Sequence, residues 1–398
     1  MNQIDLKQRH ALTIALCFFI TLLEGFDIQA LGISLGKLRA QFGLDASQVK
    51  WLTTLSSAGV VFGAIIGGRM ADFFGRKPIL LTSVTVFGLF TVAMIEAPGY
   101  SLLLIFRVLA GVGFGAALPI MMAVSAEISS PERKAITAAM VFSGMPAGGG
   151  TSALFAQLLG PEFDWKLLFL VGGLVPLVLV PAVHFLLPET SVRRTATSAP
   201  VANVGHALFG EKRAMPTLLL WLTFFPTMLI LYLILNWLPT LVASKGFGGT
   251  APSEAAMLFN YGAVFGALLF GRLVDRLGTR GPLIVSYGAL VLCLLGLGQA
   301  TTVGSTLWLS ALTGFVLLGA NYAMYGVAAA YYATRIRGTG SGATVSVGRV
   351  GAIVGPLLAG QWLQQGSTAT QVIGYMVPFA VIAALAVFVL SFYKRAQE

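Results

Sequence analysis

The chain has 398 residues, of which 57% are hydrophobic and only 10% are charged. Soluble domains carry about 25% charged residues, so this composition excludes a soluble globular protein and predicts a membrane protein. The formal net charge of +10 does not indicate nucleic-acid binding, because the basic residues lie in short segments between apolar runs. That distribution is the one that sets membrane topology.

Apolar runs of about 20 residues, long enough to cross a lipid bilayer, recur along the whole chain. They predict an all-α membrane protein with twelve transmembrane helices. The first run continues without a small-residue cleavage site, so it is predicted to be a retained helix and not a signal peptide. The predicted helices are 11–36, 50–71, 78–98, 101–126, 135–159, 167–187, 216–243, 253–274, 282–301, 305–330, 340–362 and 370–392.

The first predicted helix contains two carboxylates, Glu24 and Asp27, in the stretch "LLEGFDIQALG". Each costs a few kcal/mol at the centre of a bilayer, and a separation of three residues places both on one helix face. Two carboxylates in a low dielectric disfavour each other's ionisation, so such a pair could exchange a proton near physiological pH. We therefore predict that both residues take part in proton coupling. The alternative is a polar contact between helices that never changes its protonation.

The two halves of the chain repeat one motif. The stretch "AGVVFGAIIGGRMADFFGRKP" in the first half aligns with "YGAVFGALLFGRLVDRLGTRGP" in the second half. Parallel six-helix repeats are a transporter architecture, with the binding site near the middle of the membrane. At a constant offset of 203, the matching residues are Gly59, Phe62, Gly63, Ala64, Gly68, Arg69, Asp72 and Gly75 with Gly262, Phe265, Gly266, Ala267, Gly271, Arg272, Asp275 and Gly278.

The fourth predicted helix carries Arg107, which we predict to be the counter-charge of Asp27. At a rise of 1.5 Å per residue, Asp27 lies about 13 Å from the outer end of its run and Arg107 about 9 Å from the outer end of its own. The side chains can meet across that difference. An ion pair that forms in the empty protein and loosens on protonation would link cargo to proton. The alternative is a permanent structural pair.

The polar stretch at about 188–215 divides the predicted helices six and six. It gives three predicted parts: an N-terminal six-helix bundle at 1–190, a cytoplasmic linker loop at 191–214 and a C-terminal six-helix bundle at 215–398. With the N-terminus inside, eighteen Lys and Arg residues lie in inner segments and five in outer ones. This asymmetry predicts that both termini are cytoplasmic.

The repeated motif resembles a known family. "GRMADFFGRKPIL" resembles the loop between helices 2 and 3 of the major facilitator superfamily, although Phe73 stands where that family usually has a base. "GRLVDRLGTR" resembles the weaker second copy of that loop, and "FRVLAGVGFGAALP" resembles the family's helix 4 signature. The resemblance covers the whole chain and implies two six-helix pseudo-repeats.

A narrower resemblance begins at "EGFD", which is similar to the D-G-x-D motif of helix 1 in the aromatic acid:proton symporter family. Glutamate at its first acidic position, "LILNWLP" and "VSVGRVGAIVGPLLAG" resemble the subgroup that transports 3-(3-hydroxyphenyl)propionate. The resemblance implies a monomeric symporter, without a cofactor, in the bacterial inner membrane. It would import a hydroxylated aromatic carboxylic acid with protons by alternating access.

The eleventh predicted helix carries Arg349, about 14 Å from its cytoplasmic end. Because the arginine fork binds carboxylates bidentately, we predict that Arg349 binds the carboxylate of the cargo. The alternative is a fixed partner, either Glu24 or backbone carbonyls. An aromatic ring also needs apolar walls and a few polar atoms, although Tyr and Trp in membrane helices more often serve packing or the interface. The predicted ring contacts are Asn236, Trp237, Asn321 and Tyr325.

The loop motif implies a gate at the cytoplasmic side. Asp72 can face the N-terminal end of helix 11, where exposed backbone N–H groups favour a negative charge. Arg76 is expected to pair with Glu127. The alternative is that the motif sets loop topology alone. The predicted gating residues are Asp72, Arg76, Glu127, Arg133, Asp275 and Arg337.

Two other functions stay open at this point. "SGMPAGGG" partly resembles the helix 5 signature of drug antiporters, which would imply a proton-coupled exporter, but it lacks the glycine directly before the proline. A transporter-like sensor would need a larger cytoplasmic segment than 188–215. An enzyme is not expected, because the sequence has no nucleophile constellation, no ATP-binding motif and no metal-ligand spacing among its three histidines.

Overall fold

The computed structural model describes residues 3–129, 134–187, 204–210, 213–278, 280–332 and 336–393. In these ranges the chain is helical, with twelve long helices and one short one. A single 3₁₀ turn, Met94–Glu96, extends the third helix. The helices are α1 (Gln3–Phe42), α2 (Ala46–Phe74), α3 (Arg76–Ala93), α4 (Tyr100–Ile128), α5 (Lys134–Leu159), α6 (Trp165–Leu186), α7 (Val204–Phe209), α8 (Ala214–Ser244), α9 (Ala251–Leu277), α10 (Arg280–Gln299), α11 (Val303–Ala330), α12 (Arg337–Gln364) and α13 (Ala369–Leu390).

The long helices have the length and composition of membrane spans. Within the described ranges, 11 helices are long and apolar enough to cross a membrane. The twelfth long helix, α5, is less apolar because it is rich in glycine and small polar residues. Large apolar side chains such as Phe185 and Trp308 are 81% and 74% exposed, as expected of a surface covered by lipid. The predicted all-α membrane fold is therefore confirmed.

Contacts divide the chain into two compact units. Unit 1 contains Met1–Val192 and Leu235–Asn260, and unit 2 contains Arg193–Ile234 and Tyr261–Glu398. Unit 1 therefore holds α1 to α6 together with the last third of α8 and the beginning of α9. The boundaries of the two six-helix bundles, at 190 and 215, stay a prediction.

Unit 1 depends on close helix contacts at glycine. At Gly59 and Gly63 in α2, an added Cβ would lie inside van der Waals distance of the backbones of Val108 and Val112 in α4. Glycine is required there, since any side chain would push the two helices apart. Close packing of α2 and α4 fixes the depth of the polar residues that both helices carry.

Unit 2 repeats this crossing. Gly262 and Gly266 in α9 meet the backbones of Ala311 and Phe315 in α11, each 203 residues after its counterpart in unit 1. The offset that relates the two sequence motifs therefore also relates the contacts between helices. The duplication predicted from the sequence is present in the structure at these four glycines.

The loop glycines of the repeated motif share a backbone conformation. Gly75 ends α2 with φ of 93°, and Gly278 follows the end of α9 with φ of 74°. Residues with a Cβ rarely adopt positive φ, so glycine at these positions terminates the helix and allows a short turn into the next one. The motif is thus a helix stop in both copies.

Candidate functional site

The main polar feature of unit 1 is an ion pair between α1 and α4. Arg107 donates from Nη1 to Oδ2 of Asp27, and the two side chains are 1% and 0% exposed. The predicted pairing of these residues is therefore confirmed. Because both charges are removed from solvent, each is stabilised by the other and by hydrogen bonds and not by water.

Hydrogen bonds from the surrounding helices complete the ion pair. Arg107 donates from Nη2 to the backbone oxygen of Asp27 at 3.2 Å and from Nε to Oγ of Ser56 at 3.0 Å. Thr91 donates from Oγ1 to Oδ1 of Asp27 at 3.2 Å. Residues of α1, α2, α3 and α4 thus contribute to one hydrogen-bonded group, which limits the motion of either charge alone.

Aromatic rings enclose the guanidinium. The Cζ atom of Arg107 lies 5.9 Å from the ring centroid of Phe114 and 5.9 Å from that of Phe169. Rings at this distance attract a cation while excluding water. A Cβ added to Gly172 would lie 3.7 Å from Oδ1 of Asp27, so α6 forms a close wall on the carboxylate side. These side chains leave the pair almost completely shielded from solvent.

Glu24 lies one turn before Asp27 on α1 and is 2% exposed. Two buried carboxylates on one helix face disfavour each other's ionisation in a low dielectric, and binding of a proton to one of them relieves the repulsion. The arrangement is therefore chemically suited to binding and releasing a proton.

Hydrogen bonds between side-chain amides join α1 to the Leu235–Asn260 segment of unit 1. Asn260 donates from Nδ2 to Oε1 of Gln29 at 2.7 Å and to the backbone oxygen of Ala256 at 2.8 Å. Gln29 donates from Nε2 to the backbone oxygen of Leu235 at 3.4 Å. Gln29 and Asn260 are 1% and 2% exposed, so these bonds are shielded from water.

The same segment carries two of the predicted cargo contacts. Asn236 and Trp237 are 3% and 4% exposed in unit 1. A Cβ added to Gly32 in α1 would lie 2.7 Å from the backbone oxygen of Leu235 and 3.0 Å from that of Asn236. The glycine therefore allows α1 and α8 to approach closely at this point.

The other three predicted cargo contacts lie in unit 2. Asn321 and Tyr325 are one turn apart on α11, and Asn321 is 2% exposed, with no hydrogen-bond partner for Oδ1 among the described residues. The ring of Tyr325 packs edge-on against Phe224 at 5.3 Å between centroids. Arg349 is half-buried on α12.

One predicted gating residue can be described in full. Arg76 is half-buried at the first position of α3. Arg133 lies outside the described residues, and so do the side chains of Asp72, Glu127, Asp275 and Arg337. The gating network therefore stays a prediction.

The sequence model of the Major Facilitator Superfamily matches residues 17–356, which is most of the chain. The chain belongs to the Major Facilitator Superfamily. This superfamily consists of transporters, so the chain is a multi-pass membrane transporter and not an enzyme.

Relatives in the superfamily cover nearly the whole chain. The chain is 38% identical over 385 residues to the 3-(3-hydroxy-phenyl)propionate transporter of Escherichia coli (strain K12), covering 96% of this chain and 94% of that protein. It is 31% identical to the gallate transporter of Pseudomonas putida, with 89% and 86% covered. The resemblances predicted from the sequence are therefore confirmed.

A solved structure of the superfamily has the same fold. The crystal structure of a bacterial homolog of the human lysosomal transporter Spinster matches with a TM-score of 0.78, covering 96% of this chain and 97% of that one. Its sequence is only 18% identical, so the match concerns the fold alone.

Three side chains of this superfamily member were not predicted as site residues: Ser56, Thr91 and Gln29. Each is a polar residue within an apolar run, which signals a buried hydrogen bond in a membrane helix. The signal does not identify the partner. In the structure, two of them bond to the ion pair and the third to the Leu235–Asn260 segment.

Proposed function

We propose that the chain is a proton-coupled symporter that imports an aromatic carboxylic acid by alternating access. The proposed cargo is 3-(3-hydroxyphenyl)propionate or a related hydroxylated aromatic acid. The observation that carries the proposal is the fully buried Asp27–Arg107 pair beside Glu24, in a chain whose relatives are named as transporters of a hydroxyphenylpropionate and of gallate.

Charge balance at the buried pair supports a link between proton and cargo. While Asp27 is ionised, it neutralises Arg107. A proton on Asp27 removes the partner carboxylate of Arg107, which is unfavourable by several kcal/mol. The carboxylate of the cargo brings a negative charge into the protein and offsets part of this cost, so binding of the proton favours binding of the anionic cargo. Release of either one then favours release of the other, since the coupling is reciprocal.

Arg349 is the proposed partner of the cargo's carboxylate. Its planar guanidinium can bind both carboxylate oxygens, and it belongs to unit 2, which also contains Tyr325. The rings of Tyr325 and Phe224 offer apolar surface to an aromatic cargo, while Oδ1 of Asn321 can accept a hydrogen bond from a ring hydroxyl. Asn236 and Trp237 stay predicted contacts from unit 1.

The excess of basic residues in alternate loops supports an orientation with both termini and the linker in the cytoplasm of a bacterial cell. We propose a monomer in the inner membrane, with the six-helix halves at 1–190 and 215–398 as the moving parts. The repeated loop motif, with Asp72 and its copy Asp275, is the proposed cytoplasmic gate.

Uptake into proteoliposomes tests the function directly. The purified protein is reconstituted, and the accumulation of labelled hydroxyphenylpropionate, hydroxybenzoate, benzoate and gentisate is measured with and without an inside-alkaline pH difference. A symporter accumulates at least one aromatic acid only when the pH difference is present. Accumulation only under the opposite gradient identifies an exporter, and signalling without flux identifies a sensor. Either result refutes the proposal.

A further inference from the structure

Unit 1 contains a cavity that is not lined by Asp27 or Arg107. Its volume is about 210 Å³, and it lies where α1 approaches the last part of α8 and the beginning of α9. The proposed orientation places this end of the protein outside the cell. Its lining includes Gly36, Lys37, Phe163, Thr240, Thr250 and Ser253.

The lining combines a cation, an aromatic face and hydroxyl groups. Nζ of Lys37 lies 4.6 Å from the ring centroid of Phe163. A carboxylate can pair with Lys37 while an attached ring packs on Phe163, and the hydroxyl of Thr240 offers a hydrogen bond to a ring substituent. The chemistry of the cavity therefore fits an aromatic carboxylate.

An acidic side chain, Glu254, directly follows the lining residue Ser253 in sequence. Glu254 lies one turn after Thr250 and accepts hydrogen bonds at Oε1 from Thr250 at 2.5 Å and from Gln157 at 3.4 Å. Its carboxylate is thus held by other donors. It does not line the cavity, in which Lys37 is the charged residue.

The size of the cavity fits a small cargo. Pockets for drug-sized ligands have volumes of about 300–1,000 Å³. A cavity of 210 Å³ is smaller and suits a single aromatic ring with a short acidic side chain. A Cβ built on Gly36 would meet no atom within 4 Å, so the space beside this glycine is open.

The cavity and the ion pair follow each other along α1. Gly32, at one end of the cavity, is five residues after Asp27, which corresponds to about 7.5 Å along the helix. Gln29 lies between them along the axis, on the same helix face as Gly32 and Gly36 and on the opposite face from Asp27, and it is hydrogen-bonded to Leu235 and Asn260. The hydrogen bonds of the Gln29 side chain therefore close the inner end of the cavity.

We infer that this cavity is a waiting site, in which the anionic aromatic cargo binds before the hydrogen bonds of the Gln29 side chain open and admit it deeper into the protein. The inference rests on the proposed function, since the occupant is the proposed cargo. Lys37 is a specificity residue of this outer site and takes no part in proton coupling.

Cysteine labelling tests the occupancy of the cavity. Both natural cysteines, Cys17 and Cys293, are buried, so a Gly36→Cys variant offers one accessible thiol at the cavity. We expect 3-(3-hydroxyphenyl)propionate to slow its reaction with a membrane-impermeant maleimide at least fivefold. Propionate, which has the carboxylate but no ring, is expected to protect less than twofold. Equal protection by propionate would overturn the assignment to an aromatic acid.

A second cysteine and a second substitution serve as controls. Gly374 is a helical glycine in unit 2 with no atom near its Cβ position, and a Gly374→Cys variant should show no protection. Adding Lys37→Gln to Gly36→Cys should abolish protection. Protection at Gly374, or protection that persists without Lys37, would reject the waiting site.

Transport kinetics separate this inference from the proposed function. Lys37→Gln should raise KM for uptake about tenfold with little change in the maximal rate, whereas Lys166→Gln, at the start of α6, should leave both unchanged. If the wild-type protein takes up no aromatic acid, the proposed function fails. If it takes up the acid and neither KM nor labelling responds to Lys37, the waiting site alone is refuted.

Discussion

Replacing Asp27 with asparagine removes the negative charge of the buried pair and preserves the shape of the side chain. Arg107 would keep its hydrogen bonds to Ser56 and to the backbone oxygen of residue 27. Its charge would lose its carboxylate partner, although the side chain is only 1% exposed to solvent. Breaking a buried ion pair in this way costs about 3–5 kcal/mol. The variant should therefore unfold at a lower temperature in detergent.

A second substitution isolates the charge effect. In an Asp27→Asn, Arg107→Gln double variant both charges of the pair are gone, so most of the lost stability should return. Because the two side chains are in contact, the effects of the single changes should not add. Thermal unfolding of the four proteins measures this coupling. Additive losses would show that the pair contributes little beyond its separate hydrogen bonds.

The Asp27→Asn variant also tests the coupling of transport to the proton gradient, through the accumulation of labelled acid. One pH unit across the membrane corresponds to about 1.4 kcal/mol per proton, which supports about a tenfold concentration of cargo for each proton carried. Wild-type proteoliposomes should approach this ratio, whereas Asp27→Asn should equilibrate labelled acid without concentrating it. Exchange of labelled for unlabelled acid serves as the control for folding. Wild-type accumulation by a variant that retains normal exchange would refute the coupling role of Asp27.

Two further predictions concern cargo binding and helix packing. Arg349→Lys should weaken cargo binding about tenfold because it keeps the charge but loses the planar fork, whereas Arg280→Lys should not, and equilibrium binding to purified protein distinguishes them. Gly63→Leu should destabilise the protein by about 3 kcal/mol or more, since its side chain would meet the backbone of α4, while Gly374→Leu should change stability by less than about 1 kcal/mol. Equal melting temperatures for the two glycine variants would contradict the packing argument.

The helices were predictable because bilayer thickness imposes a minimum length on each apolar run. The ends were less predictable, since polar residues can continue a helix beyond the hydrocarbon. Thus the first helix, predicted at 11–36, extends over Gln3–Phe42. The short helix α7, Val204–Phe209, lies in the predicted linker, where no long apolar run marks it.

The ion pair was predictable from depth alone, because few charged residues lie within apolar runs and the rise of a helix fixes how deep each lies. The residues that hydrogen-bond to the pair could not be predicted. Ser56 and Thr91 could bond to several helices, and only the packing of α2 and α3 against α4 selects Asp27 and Arg107.

The hydrogen bonds of the Gln29 side chain could not be predicted, for a different reason. Asn260 lies 231 residues away in the chain, and no motif relates the two positions. The cavity beside Lys37 is likewise formed by segments distant in sequence, so its volume follows only from their packing.

The duplicated helix crossing has an evolutionary consequence. At the offset that relates the paired glycines, Arg107 corresponds to Ser310, which is buried and donates only to the backbone oxygen of Thr306. The close helix crossing is thus present in both copies, whereas the residue that corresponds to Arg107 in the second copy carries no charge. On the proposed mechanism, cargo-binding residues of the second copy can change while the Asp27–Arg107 pair of the first copy is kept. Selection can then alter the cargo without altering the residues that couple transport to the proton.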